Sequence, residues 1–264
     1  MRAGVEEEVE QSLRAVELSV EHELPMSASP PRSPGDARVA AQVSLGRAEL
    51  VAALRAAPRR RLREAAERML DDIERDMRKG RSVLSELLGR RAAFEVWKHY
   101  PTRDAVDAHS GYRFYYHAHE QRSAGEHGHF HVFAPLPPHA GEPDYVHLVG
   151  LSVDARGFPL RVFTTNQWVT AERWTPAPRI LRALERLDLG HARPARVARW
   201  VQDSTRLFAP QIAAVVRRRD ARIAQRAARL GEDGARQDRR THIVSQCRVD
   251  LSRQFEFLEA AGFA

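Results

Sequence analysis

The stretch Tyr112-Arg113-Phe114-Tyr115-Tyr116-His117-Ala118-His119, followed after a short interval by Gly128-His129-Phe130-His131-Val132-Phe133-Ala134, decides how this chain folds. Both segments are rich in aromatic and β-branched residues, which favour a pleated, half-buried backbone. In a strand, side chains two apart share a face. Tyr112, Phe114 and Tyr116 therefore fall on one side and His117 and His119 on the other; Phe130 and Val132 oppose His127, His129 and His131 in the same way. The intervening residues are few enough for an antiparallel hairpin. If residue 117 lies opposite an odd-numbered residue such as 129, the imidazoles of both strands share a face; a slip of one residue separates them. The favourable register brings cross-strand Cβ atoms to about 4.5–5.5 Å, close enough for several rings to meet at one point.

Neutral imidazole is a ligand for zinc, iron and manganese, and a catalytic ion commonly takes three protein ligands and keeps one position open. His117, His119, His129 and His131 are the expected ligands of a divalent transition metal, with zinc, iron or manganese equally admissible. Glu126 and His127 stand beside them as candidate catalytic residues, Glu126 as a further ligand or as the base that takes a proton from bound water. Surplus imidazoles can orient ligands or contact substrate. His99, His147 and Asn166 are the expected substrate-binding residues, Asn166 being the only asparagine in the chain. The expected partner is a small molecule.

Around this hairpin the chain reads as α+β. Two more strands are expected, Tyr145 to Val153 and Leu160 to Thr170, joined by Asp154-Ala155-Arg156-Gly157-Phe158-Pro159, where Gly157 supplies a positive φ. The four strands make an antiparallel four-stranded β-meander flanked by N- and C-terminal helices. Residues 45–96 carry helical periodicity, with Pro58 separating two helices and Gly80 ending the second. The sheet occupies 97–172, and helical stripes return over 176–262. There Pro210 suits the first turn of a helix, and Ile243, Cys247, Leu251, Phe255 and Leu258 line a final one. Residues 1–37, an acidic segment and a Pro/Ser-rich linker, stand outside the single domain of 38–264.

Composition excludes several classes. The net charge of +7 comes from arginine, with Lys79 and Lys98 the only lysines. That usage follows from a GC-rich bacterial genome, so nucleic acid is not the expected partner. No apolar run is long enough to span a membrane, no export signal opens the chain, and the single Cys247 has no partner for a disulfide. A cytoplasmic location follows; the oligomeric state stays open.

Three resemblances bear on function. His127-Gly128-His129-Phe130-His131-Val132-Phe133 is similar to the histidine triad motif of nucleotide hydrolases and transferases. It implies metal-free phosphoryl or nucleotidyl transfer with His129 as nucleophile, although Gly128 breaks the apolar alternation of that motif. His117-Ala118-His119 with Glu126 is similar to a cupin metal motif, with the carboxylate displaced. The set His99-Tyr100-Pro101, Tyr115-Tyr116-His117-Ala118-His119, Glu126-His127-Gly128-His129-Phe130-His131 and Thr164-Thr165-Asn166-Gln167-Trp168-Val169-Thr170 resembles a family of uncharacterised bacterial proteins across most of residues 90 to 230. That resemblance implies one domain and assigns no chemistry. A non-enzymatic module whose imidazoles respond to metal or pH is the remaining alternative.

Overall fold

A computed structural model describes residues 39–89, 95–120 and 124–263. The expected linker of residues 1–37 lies outside them. Among the described residues the strands are β1 (Ala41–Gln42), β2 (Tyr100–Val106), β3 (Arg113–His117), β4 (Gly128–Pro135), β5 (Tyr145–Val153), β6 (Pro159–Thr165) and β7 (Ile243–Arg248). The helices are α1 (Arg47–Ala56), α2 (Arg59–Lys79), α3 (Val83–Leu88), α4 (Gln167–Thr170), α5 (Ala177–Glu185), α6 (Ala195–Leu207), α7 (Ala209–Arg236) and α8 (Leu251–Ala260).

The chain is α+β, but its sheet is not a four-stranded antiparallel meander. It has seven strands in the order β1-β7-β6-β5-β4-β3-β2, and the β1–β7 pair is parallel, which makes the sheet mixed. The expected meander is its centre, β3 to β6. The additional strands flank it, β2 and β1 at the two edges and β7 between β1 and β6. β2 carries Pro101, tolerated because an edge strand has one side free of ladder hydrogen bonds. The expected last helix divides: Ile243–Arg248 pairs with β6, and only Leu251–Ala260 is helical. Ile243, Cys247 and Leu251 are four apart and imitate a helix face, yet the break is marked by Asp250, whose carboxylate accepts the Arg253 N–H as an N-cap.

Other punctuation behaves as its chemistry requires. α1 and α2 are separated at Ala57-Pro58, and Gly80, at φ 55°, ends α2 by sending its N–H back to Asp76 and Met77. Gly157, at φ 82°, turns β5 into β6 while Asp154 accepts the Arg156 and Phe158 N–H groups. Strand β6 stops at Thr165 rather than continuing to Thr170, because Asn166 caps the single helical turn α4.

Phe114, Tyr116, Phe130, Val132, Leu151, Val153 and Val162 join Trp200, Ile212 and Val215 of the helices in one core. Phe130 and Trp200 are in ring contact at 5.3 Å. At about 25 cal/mol per Å² of apolar surface removed from water, this contact layer is the main force holding the sheet in place. The opposite face of β3, β4 and β5 carries the imidazoles.

Candidate metal centre

The register is the favourable one. His117 lies directly opposite His129, and Tyr115 opposite His131. On the other side of β4, His129 pairs with Ser152 and His131 with Gly150. Between the pairs Val132–Val149 and Phe133–His147 the ladder slips, so Leu148 is an extra residue in β5. Such a bulge reverses the alternation beyond it. It turns His147 to the face occupied by Gly150 and Ser152, where its Nε2 stands 2.9 Å from His131 Nδ1. Gly150 is there because the Phe163 ring crosses it: a Cβ would stand 2.2 Å from Phe163 Cζ. That ring closes the floor beneath His129 and His131, 5.3 and 5.8 Å away.

Hydrogen bonds orient the rings. Glu126 Oε1 is 2.8 Å from His129 Nδ1, and Glu126 Oε2 accepts from Arg161 Nη2 at 2.8 Å. Arg161 is itself held by Ser152 Oγ and Gln246 Oε1 at 2.9 and 2.5 Å. A carboxylate can only accept, so His129 carries a proton on Nδ1, which leaves Nε2 as the nitrogen available to an ion. At the second ring, His131 Nδ1 faces His147 Nε2, and His147 Nδ1 faces Thr165 Oγ1 at 3.1 Å. With the proton order His131 Nδ1–H to His147 and His147 Nδ1–H to Thr165, His131 also keeps a bare Nε2. His117 Nε2 lies 2.8 Å from His129 Nε2. One nitrogen from each of His117, His129 and His131 falls within 4.8 Å of the others.

Protonation follows burial. Desolvation, with the neighbouring imidazoles, holds His117 down at about 2 and His119 at about 4. Desolvation with the Arg219 charge holds His147 at about 3, and His131 is well below its usual value. These rings are neutral near pH 7, the state a metal ligand needs. Burial would raise the Glu126 carboxyl, but the His129 hydrogen bond and the Arg161 charge hold it below its ordinary value.

The remaining expected residues divide. His119 is half-buried at the mouth, its ring 4.7 Å from His117 and 5.1 Å from His129, outside the three-nitrogen group. His127 leaves the face, because pairing with β3 starts only at His129; its Nδ1 meets Tyr116 Oη at 2.5 Å. His99 is exposed at the rim and stacks on Tyr115 at 3.7 Å. Asn166 is wholly buried and its amide is spent on structure, accepting from Gln167 N and donating to the Ala235 and Asp238 carbonyls. Both oxygens of Glu126 are engaged, which gives it a positioning geometry.

Sequence reasoning missed Arg161, Thr165 and Glu172. The first two had a signal: Arg161, Phe163 and Thr165 alternate with apolar residues along β6. Glu172 had none. It folds back from beyond α4 to accept the His147 N–H at 2.5 Å, and burial, opposed by Arg219, lifts its carboxyl to about 7.

The family model described as Domain of unknown function (DUF6969) matches residues 63–249, more than half of the chain. The chain belongs to the DUF6969 family. No curated protein and no solved structure matches it. The DUF6969 span takes in β2 to β7 and every residue of the histidine centre, and it starts inside α2. Among the described residues of this DUF6969 member, no helix is long and apolar enough to cross a membrane.

Proposed function

We propose that this protein is a metal-dependent enzyme, hydrolytic or oxidative, which acts on a small molecule through a divalent transition metal: zinc, iron or manganese. His117, His129 and His131 would hold the ion. The observation that carries this reading is the paired support behind the two buried rings. Glu126 behind His129 and His147 behind His131 occupy the positions that fix a ligating imidazole with Nε2 free, as carboxylates and other acceptors do in metal proteins. A solvated polar row has no use for such backing. Two imidazoles on one tetrahedral ion stand about 3.3 Å apart, so admitting it asks His117 and His129 to open by roughly half an ångström.

The roles follow from position. Arg161 holds Glu126, Glu126 holds His129, and His147 holds His131. His119, on the open side, is placed to contact substrate or to ligate. A bound ion supplies Lewis-acid polarisation or a water made acidic enough to react near neutral pH. The reading places the protein in the reducing cytoplasm, where the buried Cys247 thiol persists, with neither nucleic acid nor membrane as partner.

Metal analysis of protein purified without a polyhistidine tag tests this reading. The wild-type chain is expected to bind close to one equivalent of zinc, iron or manganese, and the His129→Ala, His131→Ala variant none. Equal metal content in the two proteins, or a phosphohistidine adduct at His129 that forms in the presence of chelator, would overturn it. Glu126→Gln should be milder. It keeps the shape but removes the charged acceptor, and metal affinity should fall about 10–100-fold with the circular dichroism spectrum unchanged. Unaltered affinity would remove Glu126 from the positioning role.

A further inference from the structure

We propose that Trp97 is the stacking platform for a planar aromatic ligand at the mouth of the histidine centre; this rests on the metal reading above. Trp97 is 61% exposed although it is among the largest apolar side chains, and its backbone is left-handed, at φ 69°. That conformation is disfavoured for any residue with a Cβ, and for a bulky one it is an outlier of the kind that collects at ligand sites. It is held in place by the Trp97 N–H, which donates to the Ala118 carbonyl at 2.9 Å at the end of β3. The ring meets His119 edge-on at 4.2 Å, and His119 in turn touches His117. A large ring in water, on a strained backbone, does little for stability.

Among the described residues, His99 borders the same side. His99 lies flat on Tyr115, 3.7 Å away and 8° from parallel, and turns its edge to His117 at 5.6 Å. The half-buried side of the centre, at His117 and His119, is thus bordered by the rings of Trp97 and His99. Polar groups next to Trp97 already have partners: Lys98 Nζ is 2.6 Å from Glu95 Oε1, and His99 Nδ1 is 3.4 Å from Asp104 Oδ1. An aromatic rim whose polar neighbours already have partners favours a flat ring over a flexible ionic chain. The inferred ligand class is therefore an aromatic compound carrying an oxygen donor that reaches the ion while its ring lies on Trp97.

Two probes with the same metal-binding group separate the ring from the donor. On the full zinc-loaded chain, benzohydroxamate should bind about tenfold more tightly than acetohydroxamate. In Trp97→Gly, which keeps the left-handed backbone and removes the ring, that advantage should vanish while zinc affinity stays at the wild-type value. Trp97→Phe should retain most of it. Equal affinity of the two probes for the wild-type protein, or an advantage that survives Trp97→Gly, overturns the platform and leaves the metal reading intact. A wild-type chain that holds neither zinc, iron nor manganese overturns both.

Discussion

The metal-free protein is expected to lose on the order of 5 kcal/mol of stability between pH 7 and pH 5, a large part of what a typical domain has. The cause is the set of imidazoles kept neutral by burial. His117, His119, His131 and His147 all have folded-state values far below the 6.5 of a free imidazole. The unfolded chain therefore takes up protons below pH 6.5 that the folded chain refuses. Stability is fully present above 6.5 and drains away as pH falls towards the folded values. Each such group costs about 1.4 kcal/mol per pH unit. Glu172 works in the opposite sense: raised to about 7 from 4.5, it binds its proton first in the folded state and returns stability as pH falls through the same window. The largely buried His117, His131 and His147, with smaller solvent-screened shares from His119 and His242, outweigh this one carboxyl and leave a net loss. Urea unfolding at pH 7, 6 and 5 measures it, and a free energy that stays level within about 1 kcal/mol would sink the account. Saturating zinc should move the acid limb to lower pH, since an ion on the same nitrogens competes with protons.

Gly128→Ala is expected to be the most damaging single methyl in the hairpin. A Cβ at this position would stand 2.4 Å from Tyr116 Oη and 2.6 Å from the His117 carbonyl oxygen. The first obstacle is a fully buried side chain bonded to His127, and the second is backbone in the pairing partner. Neither can yield unless β3 and β4 separate where His117 faces His129. Overpacking of this kind costs about 1–3 kcal/mol, and here it falls on the pair of rings that begins the metal centre. Thermal unfolding should show a fall of about 2–4 °C for each kcal/mol, and metal affinity should fall with it. Tyr116→Phe in the same chain should not restore either, because the carbonyl remains in the way. A Gly128→Ala protein that melts and binds metal like wild type would show that the hairpin has slack the structure denies it.

Much of this centre was legible in the residues. Alternation along β3 and β4 separates aromatic from imidazole faces, and the four central strands stand where their composition puts them. His117, His129 and His131 converge as period two requires once the register is known. What escaped depends on events outside the local pattern. His127 obeys the same spacing, but strand pairing begins at Gly128, and its ring turns to Tyr116. Asn166 stands out by rarity, yet rarity marks a helix cap as readily as a ligand. β7 was hidden by a four-residue repeat that serves a strand and a helix equally well; its identity is settled by hydrogen bonds to β6, a partner far away in sequence. The β2 edge was masked by Pro101, which argues against a strand anywhere except at an edge. Arg161 is the instructive omission, since an arginine inside an apolar strand needs a carboxylate, and Glu126 was already under suspicion.

The additional residue at Leu148 makes one member of the histidine set a matter of counting. Three residues separate His147 from Gly150, an odd step that in a regular strand would turn His147 into the oily layer beneath the helices and strip His131 of its prop; only the bulge returns it to the imidazole side. Relatives can therefore preserve the whole vocabulary of the centre and still lack its grammar. A two-residue step reaches the same face through a regular strand, whereas the three-residue step needs the bulge, so a relative that keeps this spacing but loses the bulge can aim only one of the two buried rings.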